Sequence, residues 1–123
     1  AKKEYSLSGD DELPYVSIIV AVRNEEKNIK YCLESLNSLI YPENKLEIIV
    51  VDDASNDTTE EQIKSLEIPK ITYLKNKSNL GPSKSRNLGI AVSDGKYIAF
   101  LDSDDSWRPT KISKQVEVIE KAK

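Results

Sequence analysis

The segment YIAFLDSDDSW, residues 97–107, carries an apolar run straight into Asp102, Asp104 and Asp105. Carboxylates packed this closely repel one another, and a hard divalent cation relieves the repulsion. Such an ion is held by one or two carboxylates together with substrate phosphates and water. The Asp-x-Asp spacing of Asp102 and Asp104 suits that role, because residues two apart in an extended segment point the same way. Two other apolar runs also end on polar groups: YVSIIVAV on Arg23-Asn24-Glu25, and LEIIVV on Asp52-Asp53. Lys84 and Arg86, at the start of a helical stretch, bring positive charge, and arginine makes bidentate contacts with phosphate. Each group alone has a plainer reading. An acidic stretch after a strand is often a solvated turn, Asp52-Asp53 before Ala54-Ser55-Asn56 is good turn and cap chemistry, and Arg86 alone reads as a surface residue. Three acidic or polar strand ends in one consistent topology are what point to a site.

Composition narrows the chemistry. The chain has no His, so any metal must sit on oxygen ligands, which favours Mg²⁺, Mn²⁺ or Ca²⁺. The formal net charge is −3 and no basic stripe stands out, which argues against binding nucleic acid. Cys32 is the single cysteine, so no disulfide forms within the chain, in keeping with a reducing compartment. It falls on the apolar face of a helical stretch and is expected to be packing rather than reactive. No apolar run is long enough to span a membrane. The chain also lacks Met, and the expectation is of a processed chain or a piece of a longer one.

Periodicity supplies the scaffold. Residues 15–22, 46–53, 71–74 and 96–101 read as strands, the first two as runs buried on both faces. Helical spacing follows in between: Ile29, Cys32, Leu33, Leu36, Leu39 and Ile40 lie on one face, with Asn24 as the expected cap and Pro42 as the stop. A short helix capped near Asn56 or Asp57 is expected, a third with Pro82 in its first turn, and a last one capped by Thr110 with Ile112, Val116 and Ile119 on its inner face. Trp107 reads either as a cover for the acidic loop or as a wall of the site. Residues 1–13 read as a flexible lead-in. Strands alternating with helices imply an α/β fold, a mostly parallel sheet with helices on both faces. Ligands bind such sheets just past the carboxyl ends of the strands, where the acidic groups of separate strand ends are expected to converge. A response-regulator receiver domain also ends a strand on paired aspartates. Receivers open with that strand, however, whereas here a full strand and helix precede it.

Taken in order, VSIIVAVRNEEKNIKYCLESL, LEIIVVDDASNDTT, NLGPSKSRNLGIAVSDGKYIAFLDSDD and WRP resemble the nucleotide-sugar-binding half of family 2 glycosyltransferases, which have the GT-A, Rossmann-like fold. The resemblance covers about residues 14–121 and assigns residues 14–123 to that half. It implies inverting transfer of a sugar from a nucleotide-diphosphate donor, with Mn²⁺ or Mg²⁺ bridging the diphosphate. By position it makes Asp104 the direct metal ligand and sets Asp102 and Ser103 near the ribose or the metal shell. Asp53 falls against the base, Ala21, Arg23 and Glu25 flank base and ribose, and Arg86 lies near base and phosphates. Arg23 stands where the family often has an aromatic residue, and a guanidinium can also stack.

The family places its catalytic base further along the chain, and Asp105 does not match that role. The expectation is therefore an apparently truncated, donor-binding fragment that is inactive alone, with an inactive binding or interaction module as the rival. A UDP-sugar is preferred over a GDP-sugar. The parent is expected in the cytoplasm or on the cytoplasmic face of a membrane. A sheet cut partway leaves an open edge, so self-association is expected.

Overall fold

The computed structural model describes residues 12–122. Four strands form one parallel sheet: β1 (Val16–Val22), β2 (Leu46–Asp52), β3 (Ile71–Lys75) and β4 (Tyr97–Phe100), in the spatial order β3-β2-β1-β4. Four helices alternate with them: α1 (Ile29–Asn37), α2 (Thr59–Ser65), α3 (Pro82–Val92) and α4 (Lys111–Lys121). The register is continuous, with Ile18 opposite both Ile48 of β2 and Ala99 of β4. The expected lead-in falls on residues 1–11, outside the described range, and on Glu12 and Leu13. Leu13 packs against the core.

Both central strands are β-branched and apolar because both of their faces are covered. On one face, Val16, Ile18, Val20 and Val22 meet Ile48 and Val50, Ile29, Cys32, Leu33 and Leu36 of α1, Ile63 of α2, and Ile112 and Val116 of α4. On the other, Ile19, Ile49 and Val51 form a smaller cluster with Leu74, beneath α3. The division follows from chain direction. The sheet grows from β1 through β2 to β3, and the chain then returns to lay β4 on the opposite side of β1. Right-handed crossovers put helices on opposite faces when the direction reverses. The reversal makes the carboxyl end of the β1/β4 pair a topological switch point, where open parallel sheets bind ligands. This order also differs from the 2-1-3-4-5 order of receiver folds.

Three local expectations are corrected. Helix α1 ends at Asn37 rather than running to Pro42, and the Ser38 and Leu39 amides close onto the Ser35 and Leu36 carbonyls. The chain beyond is held by tertiary bonds instead: the Ile40 amide donates to Pro109 O at 2.8 Å and the Tyr41 hydroxyl to Pro14 O at 2.6 Å. Asn24 does not cap α1; it sits at φ 51°, in the left-handed region, five residues before the helix begins. Strand β4 ends at Phe100, and Asp102 to Asp105 form a turn closed by the Asp105 amide on Asp102 O at 2.9 Å. The extended-chain reason for Asp102 and Asp104 facing alike therefore does not hold. Pro82 occupies the first turn of α3 as expected.

Gly95 fixes where β4 begins. Its amide donates to the Ser17 hydroxyl at 2.8 Å. A Cβ added there would lie 2.6 Å from the Ser17 backbone nitrogen and 2.6 Å from Tyr97 O. Backbone atoms cannot yield as a flexible side chain does, so Gly95→Ala is expected to cost about 1–3 kcal/mol. A urea titration reads this as a lower unfolding midpoint, and an unchanged midpoint would refute the tight fit.

Candidate functional site

The residues singled out in the sequence lie on the carboxyl edge of the sheet, and they divide into two groups. The first group is consumed by the scaffold. Asp52 is fully buried: it accepts the Tyr73 hydroxyl at 2.6 Å and the Ser55 amide at 2.9 Å. Asp53, 4% exposed, accepts the Asn76 side-chain amide at 2.9 Å and the Leu80 and Gly81 amides at 2.8 and 2.9 Å. Through these bonds it sets the loop that opens α3, including Gly81, which sits at φ 93°.

The Arg23 guanidinium donates to Asp53 O at 2.7 Å and Ala54 O at 3.0 Å. Around it, the loop after β1 is stitched to the loop after β2. The Asn24 amide donates to the Ser55 hydroxyl, the Asn56 amide to Asn24 Oδ1, and the Glu25 amide to the Thr59 hydroxyl, each at 2.9 Å. Ala21 and Glu25 are partly exposed at this edge.

The second group faces solvent. Asp102, Asp104 and Asp105 are exposed, and Ser103 is half-buried between them. Arg86 reaches across from α3, placing Nη2 4.0 Å from Asp102 Oδ1; the two side chains are 41% and 73% exposed. So open an ion pair contributes at most about 1 kcal/mol, and the fold does not depend on it. A ligand can exchange it for other contacts. By contrast, the Asp53 carboxylate makes buried, charge-assisted bonds worth about 1.5–3 kcal/mol each. Magnitude thus separates scaffold acids from available ones.

Strand ends do not pool their carboxylates as expected, because Asp52 and Asp53 turn inward. Among the described residues no three or more His, Cys, Asp or Glu side chains form a closed metal cage. Exposed oxygen donors at Asp102 and Asp104 fit the other mode, in which a hard cation takes one or two carboxylates and completes its shell with phosphate oxygens and water. Beneath the turn, Cys32 Sγ lies 3.6 Å from Asp102 O. Burial first, then the charges of Asp105, Asp104 and Asp102, push its thiol up to about 12, so it is a packing residue. Trp107 packs on the core, with its amide donating to the Ser35 hydroxyl at 3.2 Å.

Sequence reasoning missed Asn76 and Ser85. Asn76 is 8% exposed and Ser85 fully buried, and Asn76 Nδ2 bonds Ser85 Oγ at 3.1 Å. The only local signal was an Asn directly after a strand; its partner Asp53 lies 23 residues earlier.

An open parallel sheet of order 3-2-1-4, with a switch point between β1 and β4, has the strand order of a doubly wound, Rossmann-like α/β fold. The chain belongs to glycosyl transferase family 2, whose model matches residues 17–123. It is 41% identical over 108 residues to the Escherichia coli UDP-Glc:alpha-D-GlcNAc-diphosphoundecaprenol beta-1,3-glucosyltransferase WfaP, covering 88% of this chain and 42% of that protein. S. aureus TarS 1-349 in complex with UDP-GlcNAc superposes with a TM-score of 0.82 at 29% identity, over 87% of this chain and 31% of that one. The mannosyltransferase PcManGT from Pyrobaculum calidifontis, in complex with GDP-Man and Mn²⁺, gives 0.82 at 25% identity, over 94% and 35%. The chain thus spans well under half the length of each.

Asp53 carries a pH consequence. Burial alone would raise its pKa, but the bonds from Leu80, Asn76 and Gly81 and the charge of Arg23 outweigh that and hold it below the usual carboxylate range. A carboxyl whose folded pKa lies below its unfolded value of about 3.9 stabilises the fold above that value. The stabilisation is lost as pH falls through the folded pKa. Asp53→Asn turns one acceptor into a donor facing an amide, and at pH 7 it is expected to cost about 1–3 kcal/mol. The gap from wild type should narrow below about pH 4. Urea midpoints at pH 7 and pH 3 check this, and a gap that stays constant with pH would refute it.

Proposed function

We propose that residues 14–123 form the donor-binding half of an inverting glycosyltransferase, which takes a nucleotide-diphosphate sugar with Mn²⁺ or Mg²⁺. The observation that carries the reading is the Arg86–Asp102 pair: a cation and an acidic turn facing each other across the β1/β4 switch point, held by bonds weak enough for a ligand to replace. Asp104, with Asp102, holds the divalent cation, and Ser103 lies against the donor between them. Arg86 binds diphosphate oxygens and steadies the leaving group. Ala21, Arg23 and Glu25 line the base and ribose, with Arg23 already fixed by its two carbonyl bonds. Asp53 borders the base by shaping the loop whose Leu80 and Gly81 amides it holds. The cation, when bound, supplies positive charge to the departing diphosphate. This chain's own residues bind and orient the donor, and none of those described is assigned as the base that activates the acceptor.

A UDP-sugar is preferred. WfaP, at 41% identity, is named for UDP-Glc, and TarS, at 29%, is seen with UDP-GlcNAc, whereas the GDP-Man complex belongs to a protein at 25%. The chain alone binds donor without transferring sugar, and the full-length parent works in the cytoplasm or on the cytoplasmic face of a membrane. Calorimetric titration with UDP and GDP, with and without Mn²⁺, is the test. UDP should bind more tightly with Mn²⁺, and Asp104→Ala should lose the metal-dependent gain. Binding that ignores Mn²⁺, or a gain that survives Asp104→Ala, would sink the assignment.

Self-association follows from the free side of β4. Among the described residues this edge has no strand partner, and Ile98 and Phe100 are 37% and 46% exposed. A second copy of this chain, pairing antiparallel about a two-fold axis, would lay the same apolar residues against each other. Sedimentation equilibrium should show a mass that rises with concentration and falls back in Ile98→Lys. A concentration-independent monomer would rule it out.

A further inference from the structure

Helix α3 is held to the sheet at two places, and Arg86 lies between them. At one, Gly89 lets the helix backbone approach so closely that a Cβ there would lie 2.7 Å from Ile19 Cγ2. At the other, the buried Asn76 carboxamide joins two acceptors: Nδ2 reaches Asp53 Oδ1 at 2.9 Å and Ser85 Oγ, one residue before Arg86, at 3.1 Å. The Asn76 backbone is pinned as well, its amide donating to Asp52 O at 2.8 Å. The orientation of the carboxamide is set by its neighbour, since an ionised Asp53 only accepts. No other short side chain meets this demand. Asp would put a second carboxylate beside Asp53, and Ser offers a single hydrogen for two acceptors.

We infer that Asn76 is a positioning residue: by tying the end of β2 to the second turn of α3, it sets the rotation of α3 that delivers the Arg86 guanidinium to Asp102. The exposed ion pair cannot do this for itself, being worth at most about 1 kcal/mol. The inference rests on the donor-binding reading for its effect on ligand affinity. Its effect on Arg86 exists without any ligand.

The test is a double-mutant cycle on this chain, with UDP and Mn²⁺ as the probe. Asn76→Ala should weaken binding roughly five- to tenfold, as expected for coupled neighbours, and should add nothing in the Arg86→Ala background. Equal weakening in both backgrounds, or none in either, overturns the inference. Should Asn76→Ala fail to fold, Ser85→Ala removes only the far end of the link and carries the same cycle. A ligand-free arm follows ¹⁵N relaxation of the Arg86 Nε–H. This group should be ordered in the wild type and mobile in Asn76→Ala or Ser85→Ala, and equal mobility throughout overturns the inference. If the wild type binds neither UDP nor GDP, the donor-binding reading fails while the relaxation arm still decides the role of Asn76.

Discussion

The buried carboxylate of Asp53 is the constraint on which the site edge depends. It sits where β2 leaves the sheet, and its oxygens take hydrogens from the end of β3 and from the two residues that open α3. Its backbone amide bonds Val22 O of β1, and its carbonyl receives the Arg23 guanidinium. One residue thus gathers three strand ends and a helix start. Because the acceptor is ionised and the donors are backbone amides and a buried side-chain amide, the junction is strong for its size. The loops after β1 and β2 and the start of α3, the helix that carries Arg86, are mounted on it.

This explains why acids of similar appearance in the sequence behave differently. Asp52 and Asp53 meet donors as soon as the strand ends, and their oxygens are engaged within the fold. Asp102 to Asp105 follow a strand at the sheet edge, where the chain turns out into water and Arg86 comes within 4.0 Å of Asp102. The first pair organises the platform, and the second set stays available to a partner. A sheet whose acids were all spent on the scaffold would have nothing to offer a cation, and one with none spent would have no fixed crevice.

The architecture was legible in the sequence because burial writes itself into residue type: the β-branched runs of β1 and β2, and the apolar spacing of Ile29, Cys32, Leu33 and Leu36, admit few other readings. Pro82 likewise marked its helix start. Less legible was anything decided by a partner far along the chain. Asn24 looks like a helix cap, yet its side chain serves the Asn56 amide, 32 residues away. Asn76 looks like a loop residue and is a buried bridge. The two-residue spacing of Asp102 and Asp104 suggested a shared direction that a turn, closed by the Asp105 amide, removes. Hydrogen-bond geometry of this kind depends on tertiary placement, which local pattern does not encode.

The stitching of the β1–α1 loop to the β2–α2 loop bears on how such a scaffold can diversify. Arg23, Asn24 and Glu25 are bonded to Asp53, Ala54, Ser55, Asn56 and Thr59, and two of the interlocked positions, Asn24 and Ala54, hold left-handed backbone. An insertion or deletion in either loop would break the match in both, so their lengths are yoked together. The turn after β4 shares in none of these bonds. The stitched pair is therefore the part of this edge least able to change length.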